Sequence, residues 1–599
     1  MLKIFKNLQK KYYPYLLIGI TFISLTVWLE LRIPGYMREI TILVQTPGTA
    51  VGEIWRQGFM MLGTAILAML SSLLVGYCSG RLAAGFGRDL RVKVFGKVLN
   101  FGAAEVNQFS VPSLITRGTR DIATIEQFVV MGFIMLVRAP IMAVWATTRI
   151  FDQGLEWAIA TMIAVGVLIV TIILLIIFAL PKFKIIPKLT DRLNQVAREH
   201  LSGIRVVKAY NAKEYEAEKF DVANQEFMKN DRFAQRMMSV LWPVVGVIMQ
   251  GLPLAIYLIG ANIIGNAMNS VELTNPESFI YLEEAGTLFA SMIVFAQYAV
   301  QVVMAFLMMS MMLVFLPQTM VAAKRINEVL DKKSSINYPE NDTNGVKTNV
   351  AIAFKNVAFK YPEAEECVLE DINFEICKGE TAAFIGATGS GKSTLLKLIT
   401  RSYDVTKGQL LIDGKNVKDY SEATLVKKIG YTLQKATLLS GSIASNIAFG
   451  VKKIEPVQEE IKTASELAQA EEFISKLEDG YDSVITQGAT NVSGGQRQRL
   501  SIARTLFRNS NILIFDDSFS ALDYKTDRLL RQALKTARQG VTKLIVAQRV
   551  STIKDADKII VLDEGRIVGV GKHHDLLETC HVYKEIALSQ LTKEELANG

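Results

Sequence analysis

Cysteine is scarce in this chain, with four residues among 599. The four do not have the spacing of zinc ligands, and scattered thiols do not build a disulfide framework. The sequence therefore predicts reduced thiols and argues against a fold held together by disulfides or zinc. These residues are Cys78, Cys367, Cys377 and Cys580.

The N-terminal segment has no small-residue cleavage site after its first apolar run, although it begins with several lysines. A removable secretory signal requires such a site. We therefore predict that the segment stays in place as a first membrane anchor.

Apolar residues are unevenly distributed, although they make up 50% of the chain. Long apolar runs end near Lys324, and after Lys332 short Val-, Ile- and Leu-rich stretches alternate with polar turns. A chain of this length exceeds one ordinary domain. We predict a membrane domain over residues 1–330, a linker over 331–349 and a soluble α/β domain over 350–599.

Several apolar segments are long enough to cross a bilayer, which takes about 20 residues. Lysines and arginines flank them on one side, whereas residues 265–284 contain neither. Cytoplasmic loops are enriched in these residues, so both chain termini are predicted to be cytoplasmic. This orientation bias also explains the net charge of +8, and no nucleic-acid partner is expected. The predicted spans are residues 14–36, 55–82, 128–150, 155–180, 240–264 and 286–316.

The predicted cytoplasmic connections, residues 88–127 and 181–238, are long, charged and poor in glycine and proline. This composition favours helices that extend beyond the membrane and touch the soluble domain. The alternative is a solvated charged surface. Residues 113–121 and 209–220 are the candidate contacts.

Charged residues lie in or near the spans at Glu30, Arg32 and Arg138. Ionisable groups inside a membrane are costly and indicate a functional site by default. For Glu30 and Arg32, a structural pair or an interfacial position is the alternative. Arg138 lies near Pro140, where it could satisfy backbone groups freed by the proline, so a structural role is favoured for it.

The sixth predicted span is rich in methionine, which is flexible and can repack around ligands of different shape. Gln297 and Gln301 precede this cluster by a few turns. We predict that these glutamines, with Met304 and Met308, line a ligand path. Lipid-facing or helix-packing methionine is the alternative, and five methionines cannot share one helix face. They are Met304, Met308, Met309, Met311 and Met312.

A glycine-rich loop follows the apolar run TAAFI and opens a helix, which is the context required of a phosphate-binding loop. Its glycines let backbone N–H groups close around phosphate oxygens at the positive end of a helix dipole. Lys392 is placed to reach the β- and γ-phosphates, and Ser393 to bind Mg²⁺. The predicted binding residues are Gly386, Thr388, Gly389, Ser390, Gly391, Lys392, Ser393 and Thr394.

A second motif, VSGGQRQR, begins at Val492, and a third, ILIFDD, begins at Ile512. With the phosphate loop, they make residues from about 350 to 588 resemble an ATP-binding cassette (ABC) domain. Six spans followed by a cassette resemble the half-transporters of ABC exporters. The predicted fold is therefore a membrane α-helical domain of six spans with long cytoplasmic helical extensions, followed by an α/β P-loop cassette.

The resemblance implies that ATP and Mg²⁺ bind between this chain's phosphate loop and the signature motif of a second cassette. Tyr361 would stack on adenine, and Ser393, Gln434 and Asp516 would bind or sense the metal. Asp523 would lie in the D-loop. Signature residues would complete the partner's site; they are Ser493, Gly494, Gly495 and Gln496.

Two positions depart from the pattern of this family. Asp517 stands where the cassettes have the glutamate that polarises the attacking water, and Gln548 replaces the switch histidine. The aspartate is one methylene shorter, and a displacement of about an ångström can cost on the order of 10²-fold in rate. Glutamine donates a hydrogen bond but carries no proton near neutral pH. This combination resembles the degenerate-site subunit of heterodimeric bacterial exporters. Drift in a slow homodimer is the alternative.

These observations predict ATP-driven, multidrug-type export of amphipathic small molecules across the bacterial cytoplasmic membrane, by a heterodimer of which this chain is the weakly hydrolysing half. The expected partners are a different half-transporter, a small-molecule or lipid substrate and membrane lipids. A lipid or peptide exporter, a siderophore-type importer with an exporter fold and a nucleotide-gated regulatory subunit remain alternatives. No peptidase domain precedes the first span, which disfavours peptide processing.

Overall fold

In a computed structural model of the chain, residues 2–46, 48–151, 155–269, 278–342, 348–450 and 458–590 are described. The chain divides into two compact units. Met1–Val98 with Pro112–Lys332 forms a helical unit, and Leu99–Val111 with Lys333–Gly599 forms an α/β unit. The sequence prediction assigned residues 99–111 to the membrane domain, whereas in this division they group with the α/β unit.

The longest helices of the helical unit are longer than a membrane is thick. Helices α4, α8 and α12 have 49, 48 and 54 residues. At 1.5 Å per residue each is about 70–80 Å long, whereas the hydrocarbon core of a bilayer is about 30 Å thick. The predicted extensions beyond the membrane are therefore present. The first twelve helices, of which α5 belongs to the α/β unit, are α1 Leu2–Phe5, α2 Tyr13–Glu30, α3 Ile33–Gln45, α4 Val51–Leu99, α5 Ala103–Phe109, α6 Val111–Thr116, α7 Ile122–Phe151, α8 Leu155–Ser202, α9 Ile204–Ala209, α10 Lys213–Ser239, α11 Leu241–Asn269 and α12 Ser278–Asp331.

Six helical stretches of the described chain are long and apolar enough to cross a membrane. Each overlaps one of the spans predicted from the sequence, so the six-span prediction is confirmed. The stretches are Lys10–Gln45, Val51–Leu99, Val111–Ile150, Trp157–Ser202, Lys213–Asn266 and Ala285–Asp331.

Two of the charged residues in or near the spans form an ion pair within the helical unit. Arg138 on α7 donates to both carboxylate oxygens of Glu30 on α2, at 2.7 and 2.8 Å. The guanidinium of Arg32 lies 4.3 Å from the centre of the Trp28 ring. A paired charge avoids most of the penalty of an isolated one. The geometry therefore supports a structural role for Glu30 and Arg138.

The α/β unit is organised around a six-stranded sheet of order β12-β11-β3-β10-β9-β6, in which only β12 is antiparallel to its neighbour. Strands β9 and β10 are buried along their whole length, as expected for a parallel sheet covered on both faces. A second sheet has the order β2-β1-β4-β5, and β7 pairs with β8. The strands are β1 Val350–Phe359, β2 Leu369–Cys377, β3 Thr381–Gly386, β4 Lys407–Ile412, β5 Lys415–Asn416, β6 Ile429–Thr432, β7 Gly441–Ser442, β8 Val484–Ile485, β9 Ile512–Asp516, β10 Thr542–Val546, β11 Lys558–Asp563 and β12 Arg566–Gly571.

Two hydrophobic cores cover opposite faces of this sheet, since successive side chains of β3 alternate between them. Ala383 and Ile385 belong to one core, and Ala382 and Phe384 to the other. The remaining helices of the unit are α13 Lys392–Ile399, α14 Glu422–Lys428, α15 Ile443–Ile447, α16 Gln458–Leu467, α17 Glu471–Ile474, α18 Gly494–Phe507, α19 Tyr524–Ala537, α20 Val550–Ile553, α21 His573–Thr579 and α22 His581–Leu588.

The segment containing α5 belongs to the α/β unit for a physical reason. Ala103 and Ala104 pack against one of the two cores. Glu105 is only 3% exposed, and its carboxylate accepts hydrogen bonds from the backbone N–H groups of Gly102 and Ser335, both at 3.0 Å. A buried carboxylate needs such donors, so this contact holds the segment to the start of the predicted linker.

The described part of the predicted linker is itself held on the α/β unit. Arg401 donates to the carbonyl of Asn337 at 2.9 Å. Asp342 accepts from the backbone N–H of Ser421 at 2.8 Å and from the hydroxyl of Thr424 at 2.5 Å. These bonds lower the pKa of Asp342 to about 2.

Candidate nucleotide-binding site

The predicted site residues meet because they follow neighbouring parallel strands. The phosphate loop follows β3, Asp516 ends β9, Gln548 follows β10 and Gln434 follows β6. The carboxyl ends of parallel strands lie at one edge of a sheet, where ligands of α/β proteins bind. The register pairs Val546 with Asp516, which brings the ends of β9 and β10 together.

Glycine is required at two positions of the phosphate loop. Gly391 has a φ of +98°, and a Cβ there would lie 2.5 Å from the Leu369 side chain. A Cβ on Gly386 would lie 2.0 Å from the carbonyl oxygen of Leu562. Side chains at these positions would push the loop away from β11 and β2, so the loop can curl against the sheet only with glycine.

Lys392 starts α13 and folds back over the loop. Its ammonium donates to the carbonyl oxygens of Gly386 at 2.8 Å and Ala387 at 2.7 Å. Burial lowers the pKa of Lys392, and the nearby carboxylates of Asp517 and Asp516 oppose this change. The arrangement places a cation between the loop and two carboxylates, as binding of a metal-bound phosphate chain requires.

Asp516 and Ser393 present oxygen atoms of the kind that Mg²⁺ prefers. The Ser393 hydroxyl lies 3.4 Å from one oxygen of Asp516, and the Tyr431 hydroxyl donates to the other at 3.1 Å. Burial raises the pKa of Asp516, and the two hydroxyls oppose this rise. The described residues contain no cluster of three acidic, His or Cys ligands. Mg²⁺ at a nucleotide needs only one or two protein oxygens besides phosphates and water, so this pair fits it.

The two residues that depart from the family pattern touch each other. The Gln548 side-chain amide donates to the Asp517 carboxylate at 3.1 Å. Asp517 has a φ of +46°, an uncommon conformation for a residue other than glycine, and its carbonyl accepts from the Ser520 hydroxyl at 2.8 Å. Burial raises the pKa of Asp517, and hydrogen bonding from Ser520 and Gln434 opposes this rise.

Tyr361 belongs to an aromatic cluster beside the phosphate-loop helix. Its hydroxyl is 3.1 Å from that of Thr394 on α13, and its ring makes edge contacts with Phe359 and Tyr403 at centroid distances of 4.8 and 5.2 Å. Asn107 on α5 donates to the Tyr403 hydroxyl at 3.1 Å. Tyr361, the predicted adenine-stacking residue, is therefore connected to α5 through Tyr403 and Asn107.

The signature and D-loop residues also have structural roles at helix starts. Ser493 caps α18: its hydroxyl accepts from the backbone N–H of Gln496, whose side chain accepts from the backbone N–H of Ser493. Asp523 caps α19 by accepting from the backbone N–H of Thr526 at 2.9 Å. Gly494 has open space around it, and a Cβ on Gly495 would lie 3.4 Å from the Ala521 carbonyl oxygen.

The predicted ligand-path residues share one face of α12. Gln297, Gln301, Met304 and Met308 are spaced by four, three and four positions. Gln297 and Met304 are exposed, whereas Gln301 and Met308 are half-buried. Met311, which follows Met304 by seven positions, packs against the core of the helical unit.

Sequence reasoning missed several residues of the site. Tyr431 holds a carboxylate oxygen of Asp516, Ser520 holds the backbone of Asp517, and Asn107 reaches Tyr403. The Asn107 contact joins residues 296 positions apart, so no local pattern indicates it. Tyr431 could have been considered, because it lies three residues before Gln434.

Comparison with known proteins identifies the family to which both parts of the chain belong. The ABC transporter family pattern matches residues 369–520, and the ABC transporter transmembrane region matches residues 16–292. An uncharacterised ABC transporter ATP-binding protein of Mycobacterium tuberculosis is 37% identical over 93% of each chain, and one of Bacillus subtilis is 32% identical over 90% of each. An ATP-dependent lipid A-core flippase of Alkalilimnicola ehrlichii is 30% identical over 82% of this chain and 80% of its own.

The fold as a whole also matches a solved structure. A bacterial Atm1-family ABC exporter with ATP bound superimposes with a TM-score of 0.79 over 97% of this chain and 99% of the other, at 23% identity. The six-span membrane domain, the α/β cassette and the sequence relatives agree. The chain is a multi-pass membrane protein that belongs to the ABC transporter family and has the organisation of an exporter half-transporter with an ATP-hydrolysing domain.

Proposed function

We propose that this chain is the weakly hydrolysing half of a heterodimeric exporter that moves amphipathic small molecules out of the bacterial cytoplasm. Its phosphate loop, Ser393, Gln434 and Asp516 hold ATP and Mg²⁺, with Tyr361 on the adenine. Its signature residues complete the pocket of a different half-transporter, where most hydrolysis occurs. Both termini and the cassette are cytoplasmic, consistent with the lysines and arginines that flank the spans.

The Asp517–Gln548 contact is the observation that supports this proposal. A general base for water must hold its carboxylate within hydrogen-bonding reach of the attacking oxygen. Here the carboxylate is one methylene shorter than glutamate and accepts a hydrogen bond from an amide at 3.1 Å. The amide does not change its charge near neutral pH, whereas a histidine would. The residues that bind phosphate and metal are all present.

The test compares the ATPase rate of the purified full-length chain with that of the chain co-expressed with a half-transporter that has Glu and His at the two matching positions. We expect the lone chain to hydrolyse ATP on the order of 10²-fold more slowly, because a misplaced base costs about that much. Asp517→Glu combined with Gln548→His should raise the rate of the lone chain. A lone chain as fast as the pair would disprove the heterodimer proposal.

A lipid substrate is the second candidate, favoured by the relative named as a lipid A-core flippase. Proteoliposomes containing the reconstituted pair distinguish the two. Uptake of a soluble amphipathic dye supports small-molecule export, whereas movement of a labelled lipid between leaflets without dye uptake supports a flippase. We also expect charged substitutions at Met304 or Met308 to change the ranking of transported compounds.

A further inference from the structure

The helical unit contains a cavity of about 350 Å³ between α7, the turn that precedes it and α12. Binding pockets for small molecules have volumes of roughly 300–1,000 Å³, so this one accommodates a small ligand. The cavity was not part of the predicted ligand path. Its walls on α12 nevertheless continue the face that contains Met304 and Met308, because Met312 and Phe315 follow Met308 by four and seven positions.

The lining of the cavity is polar at one end and apolar at the other. The polar residues Arg120, Gln127 and Gln318 lie outside the spans predicted at residues 128–150 and 286–316, whereas Met131 and Met312 lie inside them. Met135 and Phe315 also lie inside. A ligand that follows this division has its apolar body on the membrane side and its polar group beyond the span.

Among the described residues that line the cavity, Arg120 is the one that carries a charge. It lies in a π-helical turn, Arg117–Asp121, a rare geometry often found at functional sites. The turn contains two arginines with different surroundings. Arg117 is buried and donates to Glu328 at 2.8 Å, whereas Arg120 is exposed, and its guanidinium makes no hydrogen bond or ion pair with the described residues. The adjacent Asp121 is buried and lies 3.8 Å from Arg325.

Residues that line the cavity are closely packed against one another. Phe128 is 8% exposed, and a Cβ on Gly132 would lie 3.2 Å from its ring. The absence of a side chain at Gly132 therefore lets the Phe128 ring lie across the helix. Thr319, on the opposite wall, is 2% exposed, and its hydroxyl donates a hydrogen bond to the carbonyl oxygen of Phe315 at 3.0 Å.

We propose that this cavity binds small amphipathic organic anions, with the anionic group at Arg120 and the apolar body against the methionines and Phe315. A guanidinium binds carboxylate, sulfonate or phosphate through charge-assisted, often bidentate, hydrogen bonds. The methionines adapt to different apolar shapes. The inference rests on the proposed export function for its biological meaning, because it names the substrate class of that transporter, but binding itself is measurable without transport.

Two probes test the charge requirement: anilinonaphthalene sulfonate and phenylnaphthylamine, which is the same ring system without the sulfonate. Each is titrated by fluorescence against the full-length chain in nanodiscs of zwitterionic lipid. We expect Arg120→Gln to weaken sulfonate binding about tenfold to a hundredfold, because hydrogen bonds to charged groups have effects of that size. Phenylnaphthylamine binding should not change, and Arg120→Lys should retain more sulfonate affinity than Arg120→Gln.

Arg236→Gln is the matched control, since Arg236 is an exposed arginine in the last turn of α10 and does not line the cavity. It should leave both probes unaffected. Gly132→Leu fills the cavity and should weaken both probes alike. Unchanged sulfonate binding in Arg120→Gln, or equal loss of both probes in that variant, would overturn the proposal.

Nanodiscs that contain phosphatidylglycerol distinguish a soluble anion from an anionic lipid. If this lipid competes with the sulfonate in the unaltered chain but not in Arg120→Gln, the anion comes from a lipid headgroup. If it does not compete, the occupant is a soluble amphipath. Transport by the reconstituted pair is measured separately. Failure to transport any compound, with Arg120-dependent binding intact, would refute the export function and leave the anion site standing.

Discussion

Among single residues, Asp517 and Gln548 carry the proposal that this chain binds ATP but hydrolyses it slowly. Both follow the ends of adjacent parallel strands, so their side chains meet across the sheet edge. The sequence identified both as departures from the family pattern, because the motifs around them are local. It did not show that they bond to each other, since that contact depends on the register of β9 with β10.

Substitutions in two motifs of this chain should reduce the ATPase rate of the pair to very different extents. Asp517→Asn alters the pocket that we propose hydrolyses slowly, so the ATPase rate of the pair should change less than about twofold. Gly495→Asp or Ser493→Ala alters the signature that we propose completes the partner's pocket, and the rate should fall on the order of 10²–10³-fold, as for loss of a well-placed donor. The measurement is the ATPase rate of each variant with unaltered partner.

A control separates catalysis from helix capping in that comparison. Ser493 also caps α18, and Ser442 caps α15 in the same way, with its hydroxyl accepting from the backbone N–H of Ser445 at 3.1 Å. Loss of a cap costs about 1 kcal/mol. Ser442→Ala should therefore destabilise without abolishing hydrolysis. A larger rate loss in Asp517→Asn than in Ser493→Ala would place hydrolysis in this chain's own pocket.

The Asp342 carboxylate should give the linker attachment a defined pH dependence. Hydrogen bonds from Thr424 and Ser421 lower the pKa of Asp342 from 3.8 to about 2. A lowered pKa stabilises the folded state above the unfolded value, and this contribution disappears as the pH falls through the folded value. Asp342→Asn should therefore lower the unfolding midpoint at neutral pH, and the difference from the unaltered chain should shrink between pH 3.8 and about 2. A constant difference over that window would contradict this.

Among helices and strands, the elements that could be predicted are those that a short stretch of sequence defines by itself. An apolar run of about 20 residues or a glycine-rich loop after a strand is visible in the sequence alone, and both were found. Helix α5 was not found, since it has seven residues and no recognisable periodicity. The contacts predicted at residues 113–121 and 209–220 stay predictions, whereas α5, at Ala103–Phe109, groups with the α/β unit.

Glu105 should determine how firmly α5 is held. The buried carboxylate accepts from two backbone N–H groups and from the Ser335 hydroxyl at 3.2 Å. Removing it leaves buried donors unpaired, which costs about 1–3 kcal/mol. Glu105→Ala should speed hydrogen exchange of residues 99–111, and Glu105→Gln should do so less. Glu363→Ala, at an exposed glutamate, is the control and should have no effect. Equal exchange in Glu105→Ala and the control would exclude this role.

For the chain as a whole, the proposed asymmetry predicts a difference in nucleotide residence. In the working pair, labelled ATP bound at Lys392 and Asp516 should remain through several turnovers, because closure occurs there without efficient cleavage. Lys392→Ala should weaken binding at this site yet leave part of the transport activity. At successive times after a chase with unlabelled ATP, photo-cross-linking reports how much labelled nucleotide remains on each chain, which gives the release rate from each site. Equal release rates would contradict the proposal.

The discontinuity of the α/β unit has a consequence for biosynthesis. Leu99–Val111 leaves the ribosome long before Lys333–Gly599, yet both belong to one compact unit. At about 5–20 residues per second, the rest of the chain takes on the order of a minute to make. For nearly half of that interval Glu105 has no Ser335 to bond, and the core that α5 packs against is completed later still. The segment therefore completes its contacts within the α/β unit only after a long further part of the chain has been synthesised.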